Sequence, residues 1–205
     1  MNEMQRTESW HQDRLGKATA SRMADVMART KTGWGASRAN YQSELLIERL
    51  TGMPTESYQS AAMLRGIETE PAALAAYSFD NDLTVDLVGF IDHPHIPMAG
   101  CSPDGLISYD GLVEIKCPNS ATHIETLLTG TVDLKYMRQM QFQMACTGRQ
   151  WCDFVSFDPR MPAGMQMWTR RFERDAAAIR LMEDDVEAFL AELAAKEKAL
   201  RERYG

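Results

Sequence analysis

Cys101-Ser102-Pro103-Asp104-Gly105-Leu106-Ile107-Ser108-Tyr109-Asp110-Gly111-Leu112-Val113-Glu114-Ile115-Lys116-Cys117-Pro118 is the stretch on which the reading of the fold turns. From Leu112 to Lys116 the residues alternate with the period of a β-strand, so Val113 and Ile115 share one face while Glu114 and Lys116 share the other. Asp110-Gly111 is a two-residue hairpin signal, because both residues tolerate the positive φ of such turns. A chain that folds back there brings Asp104 near Glu114 and Lys116. Two carboxylates and an ammonium on one pleat are costly to desolvate. A divalent cation offsets that cost, and carboxylate, carbonyl and water oxygens suit Mg²⁺ or Mn²⁺.

The order Asp-x9-Glu-x-Lys, with Pro103 ahead of the first acid, resembles the PD-(D/E)xK nuclease signature. A lone Glu-x-Lys is weak and most often marks a solvated strand face. Here Ser-Pro-Asp-Gly-Leu precedes it and Lys-Cys-Pro closes it, which makes chance a poor explanation.

The 205 residues, 44% of them hydrophobic, are enough for one sizeable core, and we expect a single domain over 1–205. No apolar run has the length of a membrane span and the first residues carry no signal-peptide pattern, so the expected location is the cytoplasm. Cys101, Cys117, Cys146 and Cys152 form no C-x-x-C pair and read as four reduced thiols in or near the core. Their spacing does not resemble that of nucleases carrying an iron-sulfur cluster, and none is expected. The net charge of −7 weakens, without excluding, a nucleic-acid partner, because an enzyme that encloses DNA can concentrate positive charge in one channel.

Along the chain, Ser9 to Gly16 reads as a short helix, with Thr19 and Ser21 as caps for a helix from Met23 to Ala28. A hydroxyl-bearing helix start beside Arg14 also suits an anion, although on these residues alone plain caps and a surface charge are the favoured reading. Residues 31–38 read as a Gly-rich connector, and Ser37 begins a helix that ends at Gly52. The segment 61–74 is helical in composition, with a bend or restart expected at Gly66 and Pro71. Leu83 to Ile91 alternates as a strand, and His93 and His95 fall in a Pro-flanked turn, where surface or turn histidines are favoured over metal ligands. Two helices over 121–128 and 132–146 follow; the Gln-rich face of the second is open to three readings, solvated surface, metal-bound water or DNA. A hairpin of Trp151–Phe157 and Met165–Phe172 leads to a last helix over 173–203, with Ile179, Met182, Val186, Phe189, Leu190 and Leu193 as its buried stripe. The sum is an α/β fold with a mixed central β-sheet of about five strands flanked by helices.

These residues together resemble the lambda exonuclease family of viral recombination nucleases. The matching positions, in order, are Trp10-x3-Arg14-x-Gly16-x2-Thr19-Ala20-Ser21, Gly66-x3-Glu70, Ser102 to Leu106, Glu114 to Pro118, Tyr136-Met137-x-Gln139-x-Gln141 and Asp158 to Met161. The resemblance implies a restriction-endonuclease-like core and an enzyme from a phage or prophage in a bacterial host. It implies that Asp104, Glu114 and the Ile115 carbonyl bind two Mg²⁺ ions, with Mn²⁺ an acceptable substitute, and that Lys116 stands beside the attacking water. Glu70 matches an additional active-site acid and Gln139 an active-site glutamine. Arg14, Ser21 and Ser102 match a pocket for a 5′-phosphate, and Met63 matches a wedge that splits the terminal base pair. The family's second basic pocket residue falls here on Thr122, with His123 next to it. The implied activity is 5′-to-3′ digestion of double-stranded DNA ends by a homotrimeric ring, leaving a 3′ strand for a single-strand annealing protein. A sequence-specific endonuclease on the same core, or a non-catalytic DNA-end-binding scaffold, are the alternatives. The Arg14 pocket speaks against the first and the intact Asp104, Glu114 and Lys116 against the second.

Overall fold

The strand marked out by alternation lies in the middle of the molecule, and everything else is placed by what covers its two faces. The computed structural model describes residues 4–55 and 60–205. In chain order the elements are α1 (Glu8–Arg14), β1 (Ala18–Thr19), α2 (Met23–Val26), β2 (Arg29–Thr30), β3 (Gly33–Trp34), α3 (Ala36–Thr51) and α4 (Ala61–Asn81). There follow β4 (Val85–Asp86), β5 (Ile91–Asp92), β6 (Ala99–Cys101), β7 (Gly105–Ile107), β8 (Gly111–Lys116), α5 (Ser120–Thr129) and α6 (Leu134–Thr147). The chain closes with β9 (Trp151–Phe157), β10 (Met167–Glu173) and α7 (Ala176–Tyr204).

The main sheet has five strands in the order β10-β9-β8-β7-β4. It is mixed, with β8 parallel to β9 and the other pairs antiparallel. On one face, Val113 and Ile115 of β8 pack with Ala73 and Tyr77 of α4 and with Ile107, Val155 and Phe157. On the other, Leu112, Cys152 and Phe154 join the larger core under α2, α3, α6 and α7. All six residues of the expected α7 stripe are buried in it. That helix starts at Ala176, because Asp175 Oδ1 accepts from the N–H groups of Ala177 and Ala178, and Glu173 still belongs to β10.

Several local expectations are corrected. The hairpin turn is the three-residue loop Ser108–Asp110, with Ser108 at φ 49° and Ile107 paired to Gly111. Gly111 is therefore a strand residue, and it is glycine for a different reason: a Cβ there would meet the Trp151 ring 2.1 Å away. Helix α4 runs unbroken through Gly66 and Pro71. An interior proline costs a helix about 3 kcal/mol, but Ala73 and Tyr77 beyond it are fully buried, and the Tyr77 hydroxyl donates to Asp153 at 2.7 Å. Packing thus outweighs the breaker. The strand expected over 83–91 is two short strands in different sheets, since β4 pairs with β7 while β5 joins β6 and β1 in a three-stranded sheet. The 31–38 connector contains part of a small β2–β3 ribbon, and helix α3 already begins at Ala36. Neither Thr19 nor Ser21 caps α2, whose N-cap is Arg22; Thr19 stands at the N-cap of a 3₁₀ turn (Ala20–Arg22) without a side-chain bond to it. Among the described residues no helix is long and apolar enough to cross a membrane.

Candidate active site

Strand β8 carries two of the charged groups and its neighbour presents the third. Asp104 stands just before β7, and its Oδ2 accepts from the Ile115 N–H at 2.6 Å, which ties it to the strand that bears Glu114 and Lys116. Glu114 is completely buried, and its Oε1 is ion-paired with the Lys116 ammonium. Helix α6 closes over it: Gln139 Nε2 donates to Glu114 Oε1 and Gln143 Nε2 to Glu114 Oε2, each at 2.7 Å. The Gln-rich face is thus neither solvated nor uniform in its task. Gln141 points elsewhere, bonding the Glu173 carbonyl and the Asp175 N–H where β10 turns into α7.

Charge decides what this cluster can do. Burial first, and then the Glu114 carboxylate, push the Asp104 carboxyl well above its ordinary range, while Lys116 and the Ile115 N–H pull the other way. Burial lowers the Lys116 ammonium, but Glu114 and Asp104 outweigh it and hold its pKa above the usual lysine value. So Lys116 rests as a cation, and the two acids remain short of positive charge. Among the described residues no three His, Cys, Asp or Glu side chains enclose a cation site by themselves. The groups that could hold a divalent ion are the two carboxylates Asp104 and Glu114, hard oxygens that would need further oxygen donors such as water to complete a shell.

A cavity of about 430 Å³ opens beside Lys116 and Ile115. It is rimmed by Met63 and Glu70 of α4 and by Tyr136 of α6. Met63 is 55% exposed there, an apolar side chain standing on the lip. Glu70 also borders a second cavity with Asp104, and it is ion-paired with Arg6 at 3.1 Å, a partner that sequence spacing did not indicate.

The N-terminal residues meet at a separate place. Arg14 Nη1 and the Trp10 indole N–H both donate to Ser102 Oγ, at 3.1 and 3.0 Å, and the Arg14 guanidinium lies 4.2 Å over the Trp10 ring. Arg14 and Ser21 line one cavity of about 290 Å³, together with Lys17, Thr19, Arg22 and Tyr41. Lys17 and Arg22 are ion-paired, to Asp92 and to Asp25 and Glu44. Among the described residues Arg14 makes no salt bridge, and burial presses its pKa down, while Tyr41 and the Glu48 carboxylate, which lines the same cavity with Glu44, pull the other way. Neither residue matched to the second pocket base lines the Arg14 cavity. Thr122 lines a different cavity, beside Lys116 and Tyr136, and His123 is fully buried with its two ring nitrogens bonded to Ser156 Oγ and the Met165 carbonyl. The other basic side chains at the Arg14 cavity are Lys17, Arg22 and His11, on the N-terminal segment itself. His93, expected at the surface or in a turn, is in a turn but buried, accepting from the Ile96 N–H and lying 3.2 Å from Glu183.

Residues 9–150 match the YqaJ-like viral recombinase domain. The fold is similar to that of LHK-Exo in complex with dAMP, at 55% identity over 96% of this chain and 97% of that one, with a TM-score of 0.90. An alkaline exonuclease, LHK-Exo from Laribacter hongkongensis, is 54% identical over the same shares, also at 0.90. A phage related exonuclease from Haemophilus somnus 129PT is 15% identical over 91% of this chain and 96% of that one, with a TM-score of 0.70, and it shares the restriction-endonuclease-like architecture. No curated protein matches the chain.

Proposed function

The chain belongs to the YqaJ-like viral recombinase domain family, and from that we propose that it is a metal-dependent exonuclease. It would digest one strand of double-stranded DNA 5′ to 3′ from a phosphorylated end, leaving a 3′ single strand for recombination by annealing. A nuclease with a role in recombination is what the family and its 55%-identical alkaline exonuclease relative support. The observation that supports the finer reading is that Asp104 and the buried Glu114 are tied to one strand with Lys116, which opens onto the cleft rimmed by Glu70 and Met63.

In this reading Asp104, Glu114 and the Ile115 carbonyl hold two Mg²⁺ ions, or Mn²⁺ in their place. Such ions lower the pKa of water and neutralise charge building on a scissile phosphate. The chain's own groups do the rest. Lys116, paired with Glu114, stands where it can stabilise negative charge in the transition state. Gln139 keeps the Glu114 carboxylate in place, and Glu70 supplies a further acid on the α4 side. Arg14, with Ser102 and Ser21, receives the 5′-phosphate as an unpaired guanidinium receives an anion. Met63, exposed on the lip, splits the terminal base pair. Processive digestion requires that the enzyme stay on DNA between cuts, for which we propose a ring of three subunits, with a single-strand annealing protein taking the 3′ strand.

One experiment tests this: digestion of end-labelled linear duplex with Mg²⁺, comparing 5′-phosphate with 5′-hydroxyl ends and linear with closed circular DNA. Release of 5′ mononucleotides from linear DNA, faster from phosphorylated than from hydroxyl ends, with the closed circle left intact, is the expected outcome. Cutting of the closed circle would instead identify an endonuclease, and binding without cutting an end-binding scaffold.

A further inference from the structure

Gln139 and Gln143 stand one turn apart on α6, and both reach the same carboxylate. Their contributions differ. Glu114 Oε1 receives both Gln139 and the Lys116 ammonium, whereas Oε2 receives Gln143 alone. The plane of the carboxylate is therefore fixed at two points, and the second point depends on one amide. Gln143 is completely buried, and its other end is informative: Oε1 has no hydrogen-bond partner. Turning the amide over would set its oxygen against Glu114 Oε2, so the donor orientation stands even though an acceptor goes unsatisfied. A methionine or leucine would fill the same space without that penalty. What glutamine adds at this position is the N–H aimed at Glu114.

We propose that Gln143 is a positioning residue that locks the Glu114 carboxylate and so sets the affinity of the site for a divalent cation. The proposal rests on the reading of Asp104 and Glu114 as cation ligands. A carboxylate held through Oε1 only is free to turn about its terminal bond and must be ordered anew whenever a cation binds. Groups that orient metal-binding side chains in this way commonly govern affinity by about 10–100-fold.

The test is titration of the full chain with Mn²⁺ alone, free ion being read by electron paramagnetic resonance, alongside thermal melts. Glu114→Gln examines the underlying reading; a wild-type chain that does not bind Mn²⁺, or a Glu114→Gln variant that binds it as well as wild type, removes that reading and this inference with it. Given binding that depends on Glu114, Gln143→Met should weaken Mn²⁺ by about tenfold or more. Gln143→Asn, whose amide falls one methylene short of Glu114, should also weaken it and covers the case in which the methionine variant does not fold. Gln141→Met is the control, the same chemical change two residues away in a glutamine that ties α6 to the start of α7. It should lower the melting temperature and leave Mn²⁺ affinity at the wild-type value. Unchanged affinity in the folded Gln143 variants, or an equal loss in Gln141→Met, overturns the proposal.

Discussion

The proposed reaction cleft and the Arg14 cavity would both handle negative charge, yet they are built in opposite ways. Glu114 sits on a six-residue strand paired on both sides, and three donors converge on it. Arg14 is the last residue of a seven-residue helix, Ser21 lies in a single 3₁₀ turn, and Ser102 follows a strand of three residues. The cation of the first site, Lys116, is already paired, whereas the cation of the second makes no salt bridge and has a hydroxyl, an aromatic ring and the more distant Glu48 for company. The lesson is about what each task needs. Bond cleavage needs groups fixed to fractions of an ångström, which a central strand provides. Holding the end of a substrate needs mainly an unsatisfied charge, which short elements near the surface can present.

That contrast can be broken at either end. The largest effect belongs to Lys116→Ala, which should reduce Mg²⁺-dependent hydrolysis by at least about 10²–10³-fold while end binding measured by gel shift persists. Wild-type turnover would show that the paired cation is structural. Arg14→Ala should come next, slowing digestion of 5′-phosphorylated duplex by roughly 10–100-fold, the worth of a charge-assisted hydrogen bond to an anion, with little change on 5′-hydroxyl ends. Equal slowing of both ends would mean that the guanidinium supports the fold and recognises nothing. Met63→Gln should be milder. Loss of apolar contact on the lip should slow stepping on duplex by about tenfold and leave cleavage of single strands as it was; parallel rates on the two substrates decide it.

The two regions were also unequally legible in the sequence. Alternation in Leu112 to Lys116 placed Glu114 and Lys116 on one face because a strand's period is local, and the 3.6-residue period of α7 did the same for its stripe. The Arg14 cavity rested on a resemblance, since a guanidinium and two serines far apart in sequence have no periodicity to announce them. What stayed hidden depended on neighbours distant along the chain. Gly111 read as a turn residue because the ring that presses on it is Trp151, forty positions on. Pro71 read as a breaker because local rules do not weigh the burial of Tyr77. Gln143 was visible as part of a glutamine-rich stripe, but the bond that singles it out joins α6 to β8. His123 looked available because neither Ser156 nor the Met165 carbonyl is near it in sequence.

The smallest effect probes the cost of the better-built site. Burial and Glu114 raise the folded-state pKa of Asp104, so the metal-free protein is most stabilised, as far as this group is concerned, below the unfolded carboxylate value near 4 and loses that contribution as pH rises through the raised folded value. At neutral pH the group is then a burden that a bound cation relieves. Asp104→Asn keeps an acceptor for the Ile115 N–H and removes the charge. In EDTA at neutral pH it should therefore melt higher than wild type by a few degrees, corresponding to about 1 kcal/mol for a chain of this size, and the gap should close as the buffer is taken down toward pH 4. Mg²⁺ should raise the melting temperature of wild type by mass action and leave the variant where it was. A variant that melts lower than wild type in EDTA at every pH would mean that Asp104 is held by its bond to β8 more than it is opposed by Glu114. The contrast between a site whose acids oppose one another and a cavity that presents a lone guanidinium would then have to be redrawn.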